Sequence, residues 1–177
     1  MESIINNIIN DCSEFLVNSK GQPLYKTFDN FIEPYGKIKV RLKRDKEPDI
    51  NSSFEKSFKH KKLRQRAIFT TSIPSSIDDF YVFPIDGYKI LFSNQIKNSS
   101  EDNQKILANL IETMNDIDLA KDTFNDLLSF TYKSDNLFDG IDHGAEIIIY
   151  NIPYYYIINS NEVKYDELIK RLINGYI

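Results

Sequence analysis

The stretch His143-Gly144-Ala145-Glu146-Ile147-Ile148-Ile149-Tyr150, followed four residues on by Tyr154-Tyr155-Tyr156-Ile157-Ile158-Asn159, decides how this chain is read. β-Branched and aromatic residues in unbroken runs favour extended backbone, and Asn151-Ile152-Pro153 between the runs supplies the break. Two strands are predicted, Glu146 to Tyr150 and Tyr154 to Asn159. Glu146 stands at the mouth of the first, the one carboxylate in an intensely apolar segment. A glutamate there is commonly a solvated edge charge, and less commonly a catalytic group.

Outward from these strands the hydrophobic period lengthens. Between 101 and 130, Ile106, Leu107, Leu110, Ile111 and Met114 share one helical face and Phe124, Leu127 and Leu128 another. A helical pair broken near Asp116 to Asp118 is expected. Further upstream, Ala67 to Thr71, Tyr81 to Ile85 and Tyr88 to Phe92 read as strands, with a serine-capped helical turn over Pro74 to Phe80. Asp86-Gly87 predicts a hairpin between the second and third, and Pro84 places the second at an edge or a bulge. An amphipathic helix over 3–17 opens the chain, Gly21-Gln22-Pro23 breaks it, and Leu24 to Phe28 forms a short strand carrying Lys26. Ile38 to Lys43 alternates apolar and basic residues, the period of a half-buried strand with a cationic outer face. Residues 45–62 read as a loop enclosing a short helix, and Leu168, Ile169, Leu172 and Ile173 mark a last one. Strands and helices segregate rather than alternate, which predicts an α+β fold with antiparallel pairing. The 177 residues fit a single domain spanning 1–177.

Charge is unevenly placed. Residues 37–66 hold 12 Lys/Arg against 4 Asp/Glu in a chain whose net charge is −4. Such a basic segment suits an anionic partner, whether nucleic acid, a dinucleotide or an acidic protein face, and equally suits a solvated loop. It carries no helix-turn-helix, zinc-finger or RNA-recognition pattern. Cys12 is the sole cysteine, which excludes an internal disulfide and a multi-cysteine metal site; no leader-like segment opens the chain, so a reducing cytoplasm is expected. The longest apolar stretch holds Asn151 and Pro153 and is too short for a membrane helix, so no membrane association is expected. His60 and His143 are the only histidines, too few to argue for a histidine metal site or a hydrolytic triad.

Leu24-Tyr25-Lys26, then Ile68-Phe69-Thr70-Thr71-Ser72 with Tyr81-Val82-Phe83-Pro84, then Gly144-Ala145-Glu146-Ile147 resembles the order of motifs in ADP-ribosyltransferases. The middle of the chain, about 38–95, is similar to uncharacterised proteins of tailed bacteriophages. The transferase resemblance implies a split, two-sheet antiparallel α+β core that grips NAD as substrate, cleaves its nicotinamide–ribose bond and passes ADP-ribose to an acceptor. By position it gives Glu146 the catalytic carboxylate, Thr70, Thr71 and Ser72 the pocket-shaping hydroxyls, and Lys26 the phosphate contact, with Arg41 on the next strand restoring the forked donor that Lys26 lacks. The chemistry asks for such residues: a carboxylate beside the ribose carbon where positive charge develops, and cations for the diphosphate. Gly144 stands where arginine-modifying members carry a second acid, which implies another acceptor. Two further readings stay open. One is a non-catalytic interaction protein that binds a host or virion protein on the same scaffold; the other is a nucleic-acid-binding protein acting through 37–66. The hydroxyl cluster itself is also what a strand end ordinarily contains.

Overall fold

The computed structural model describes residues 1–30, 32–76 and 78–174. The apolar run that opens at Glu146 becomes β6 (Glu146–Tyr150), hydrogen-bonded on one side to β3 (Ile68–Thr71) and on the other to β5 (Lys89–Phe92). Pleating sends Ile147 and Ile149 into one apolar cluster and Ile148 and Tyr150 into a second, on the opposite face. Both faces are covered, which is why this strand has no polar alternation. The first cluster is closed by α1 (Glu2–Asp11), α6 (Leu137–Asp142) and α7 (Tyr165–Asn174). The second is closed by α3 (Pro48–Phe58), α4 (Glu101–Met114) and α5 (Ile117–Thr131), whose Phe54, Leu107, Phe124 and Leu128 are buried.

The remaining strands are β1 (Tyr25–Lys26), β2 (Tyr35–Lys39), β4 (Phe80–Pro84) and β7 (Tyr154–Asn159). All seven form one antiparallel sheet in the order β2-β7-β4-β1-β3-β6-β5. The α+β class and antiparallel pairing expected from the sequence are therefore present. At the centre, β1 is only two residues long and links two three-stranded ladders, β2-β7-β4 and β3-β6-β5.

Several expectations need correction. Asp86-Gly87 does turn, with Gly87 at φ +80°, yet it makes no hairpin: β4 lies between β7 and β1 while β5 lies beside β6. The turn is held instead by α2 (Ser13–Asn18). Asp86 accepts from Ser13 Oγ and Glu14 N at 2.5 and 2.8 Å, and Gly87 N donates to Glu14 at 2.8 Å. The same contacts split the expected 3–17 helix at Cys12, because the Asp11 carbonyl accepts from Asp86 N at 2.7 Å. β4 is an interior strand, but Pro84 does no harm there. Val82 N donates to Leu24 O, so the Pro84 nitrogen, two residues on, faces the side where β1 has already ended.

The basic strand lies over Tyr35–Lys39, earlier than the 38–43 expected. Its partner β7 starts at Tyr154, opposite Lys39; Val40 N makes a last bond to Pro153 O at 2.8 Å and the chain leaves the sheet. Arg41 is consequently not on a strand. Residues 48–58 form three full turns of helix rather than a short one, started by Pro48 in its first turn and anchored by the buried Ile50 and Phe54. Asp139-Gly140 lies inside α6, which Asn136 caps by accepting from Asp139 N. Of the expected helical turn over 74–80, Phe80 opens β4 and the described residues of 74–79 form a bend and a turn, closed by Asp79 accepting from Ser75 N and Ser76 N; Ile77 lies outside the described residues. The helical pair within 101–130 and the strands within 146–159 stand where expected. Among the described residues, no helix is long and apolar enough to cross a membrane.

Candidate functional site

Glu146 opens β6 on the same face as Ile148 and directly opposite Thr71 of β3. Its carboxylate accepts from Ser99 N at 3.1 Å and from Ser99 Oγ at 3.3 Å. Ser99 is 2 % exposed and lies just ahead of α4, so the carboxylate sits at the positive end of that helix. Ser99 is itself fixed: Asn103, also buried, donates to the Ser99 carbonyl at 2.6 Å and to the Tyr132 hydroxyl at 2.9 Å. Glu146 is thus a positioned group rather than a loose edge charge.

It borders a cleft of about 460 Å³ shared with Lys43, Arg44, Lys46, Glu47, Arg64 and Phe69. Arg64 is 5 % exposed and donates to Glu47 at 2.6 Å and to Asn51 at 3.1 Å, with its guanidinium 5.1 Å from the Phe54 ring centre and 5.6 Å from that of Phe69. Its Nε has no hydrogen-bond partner among the described residues. Glu47 also accepts from Ser100 Oγ and, at 2.6 Å, from Gln104. Burial pushes the Glu47 carboxyl up, but bonds from Ser100, Arg64 and Gln104 outweigh it and hold the group below its usual range. The strap ties the segment after Val40 to α4 beside Glu146. With Arg64 neutralising Glu47, the cleft keeps Lys43, Arg44 and Lys46 as cations against one carboxylate.

Lys43 also borders a second cleft, of about 580 Å³, with Lys26, Lys37, Lys39 and Arg41 around Phe28 and Tyr155. The Lys43 residue as a whole is exposed, while its ammonium is tucked against the Ala67 carbonyl at 2.8 Å and 4.7 Å from the Phe69 ring centre. Burial of that end, with Lys26 and Arg64 nearby, pushes it down to about 8 against the pull of Glu146. Lys26 donates to the Phe69 carbonyl at 3.5 Å; burial lowers its pKa, partly offset by Asp29 and Glu146.

The residues singled out in the sequence therefore divide. Glu146 borders the first cleft and Lys26 and Arg41 border the second, while Lys43, which the sequence does not single out, borders both. Thr71 faces Glu146 across the ladder, its Oγ1 accepting from Ile73 N at 3.1 Å. Thr70 and Ser72 are turned elsewhere: Thr70 donates to Ile147 O at 3.1 Å in the core, and Ser72 donates to Ile141 O at 2.7 Å. Gly144 has φ +64°, a left-handed conformation that favours glycine, and a Cβ there would lie 2.7 Å from Ile73 Cδ1. His143 is exposed, with Nδ1 2.7 Å from Asp139 O. Cys12 is fully buried, and burial beside Asp11 and Asp86 raises its thiol far above the reactive range.

Sequence reasoning missed Arg64, Glu47 and Ser99. Arg64 is hidden among solvated basic residues, although its place between Leu63 and Ala67, both buried, is a signal. Asn98-Ser99-Ser100-Glu101 carries the polar signature of a helix start, and nothing local links it to Glu146, 47 positions away. Compared with known protein families, with curated proteins and with solved structures, the chain matches none.

Proposed function

We propose that this chain is an ADP-ribosyltransferase-like protein that binds NAD in the Glu146 cleft and cleaves the bond between nicotinamide and ribose. The observation that carries this is the Glu146 carboxylate, pinned by Ser99 and bordered by Lys43, Arg44 and Lys46. Breaking a glycosidic bond to a cationic leaving group builds positive charge on the ribose carbon, and a fixed carboxylate stabilises it without reorganising. The lysines and Arg44 offer point charges and a fork to the diphosphate, and Phe69 gives an apolar wall. The sheet order supports the reading: the strands bearing Lys26, the hydroxyls and Glu146 are neighbours, β1-β3-β6, and the brevity of β1 between two ladders suits a split core.

Calorimetric titration with NAD beside a nicotinamide-release assay tests it. Glu146→Gln should bind NAD and release nicotinamide at least ~100-fold more slowly. Release at an unchanged rate would remove Glu146 from the mechanism, and no binding at millimolar NAD would remove the reading.

A second reading, a non-catalytic protein that docks on a host or virion protein, is favoured by one surface. Leu119, Leu127 and Phe130 form an exposed stripe along α5, and Phe130 is 89 % exposed. Under that reading Phe130→Glu abolishes partner binding in a pull-down and Glu146→Gln leaves it intact.

A further inference from the structure

Half of the large apolar side chains exposed among the described residues, Ile117, Leu119, Leu127 and Phe130, belong to one helix, α5. The opposite face of α5 already fills the core with Ala120, Phe124 and Leu128, so the outer ones are surplus to folding. At about 100° per residue, Leu119, Thr123, Leu127 and Phe130 lie within an arc of about 80°. Met114 at the end of α4 extends this strip, its sulfur 3.7 Å from Thr123 Oγ1. Along one flank run Asp118, Asp122 and Asp126, all exposed and spaced four apart in a single row. Like charges at that spacing weaken a helix, and none of the three forms an ion pair among the described residues. Lys121, the one basic residue of α5, bonds to Asp49 of α3 at 2.8 Å.

Whatever covers this face must bury apolar surface and answer a row of carboxylates. An anionic membrane surface would be repelled by the row. A second copy of this chain, pairing α5 with itself antiparallel about a two-fold axis, would set the aspartate row against its own counterpart. A helix with apolar residues three and four apart, flanked by Lys or Arg, meets both demands. Resting on the docking reading above, we propose that the outer face of α5 binds a basic amphipathic helix of a partner protein, with Leu119, Leu127 and Phe130 covering its apolar stripe and Asp118, Asp122 and Asp126 pairing with its cations. Phe130 is the anchor, because a nearly fully exposed aromatic ring has the most surface to remove from water. None of these residues borders the Glu146 cleft, so docking here does not depend on NAD.

The test titrates the full chain with fluorescein-labelled peptides of about 20 residues, long enough to hold a helix, and follows anisotropy. One carries a Leu stripe flanked by Lys and Arg, a second the same stripe flanked by Glu, and a third is the basic peptide with its apolar period scrambled. The basic helix should bind at least ~10-fold more tightly than either other peptide, and less tightly as salt is raised. Phe130→Ser should weaken it at least ~30-fold. Asp122→Lys with Asp126→Lys, both at exposed positions, should reverse the preference in favour of the Glu-flanked helix, with circular dichroism showing both variants folded. Basic and acidic helices bound equally, and both lost in Phe130→Ser, would overturn the basic partner and leave the docking reading standing. No binding of the basic helix, or a preference unmoved by the charge reversal, would overturn the proposal, while the Phe130→Glu pull-down still decides the docking reading. A dimer in sedimentation that Phe130→Ser dissolves would give this face to a second copy. Flotation with phosphatidylcholine–phosphatidylserine vesicles, lost in the same variant, would give it to a membrane; either result overturns the proposal.

Discussion

Cutting either end of the Arg64–Glu47 strap should have unequal effects, and the inequality follows from burial. The side chains are 4 % and 17 % exposed respectively, with 2.6 Å between the bonded atoms. At an effective dielectric near 20 such a pair attracts by about 4 kcal/mol, and desolvation offsets much of that. Glu47→Gln leaves a guanidinium in the interior with neutral acceptors only and should cost about 3 kcal/mol. Arg64→Met keeps an unbranched chain between Phe54 and Phe69, and the Glu47 carboxylate retains Ser100, Gln104 and some water; the cost should be about 1–2 kcal/mol. In the double variant no charge is stranded, so the cost should stay close to that of Arg64→Met, a coupling of roughly 2–3 kcal/mol. Urea denaturation of the four proteins, followed by circular dichroism with unchanged slopes, measures this. Folding holds the Glu47 carboxyl below its ordinary 4.5, so its contribution is present above that pH and lost as the pH falls below it. The gap between the parent and Glu47→Gln should therefore narrow in acid. If Arg64→Met cost as much as Glu47→Gln, with coupling under about 0.5 kcal/mol, packing rather than charge would hold this segment against α4.

Three other outcomes are expected. Affinity for NAD should fall as the pH rises through about 8, because the Lys43 ammonium is charged below that value and neutral above it; Lys43→Arg, charged throughout, should abolish the fall in titrations between about pH 7 and 9.5. Gly140→Ala would place a Cβ 2.9 Å from Cγ of the fully buried Phe92 and should lower stability by about 1–3 kcal/mol in thermal or urea melts, despite improving helix propensity. Gly144→Ala, forced into the left-handed region against a side chain that can yield, should cost about 1–2 kcal/mol by the same measurement.

The local elements are legible in the residue pattern alone, because short-range periodicity and composition encode them. A helix turns every 3.6 residues, so the pair α4 and α5 follows from spacing, while β6 and β7 follow from their unbroken β-branched and aromatic runs. The placing of Glu146 at a strand mouth follows in the same way. Tertiary structure decided which strands pair. A turn signal such as Asp86-Gly87 specifies a reversal, but a partner strand must also be free, and here β7 and β1 flank one arm while β6 takes the other. β2 ends where β7 offers no further backbone groups, a boundary invisible in the alternation of Ile38 to Lys43. The candidate site depends still more on long-range closure. Ser99 meets Glu146 across 47 residues and Ser100 meets Glu47 across 53, and each side chain alone reads as an ordinary polar residue. Side-chain type sets what a group can do; the sheet order and the helices packed on it set which groups meet, because buried polar atoms must find partners wherever the fold brings them.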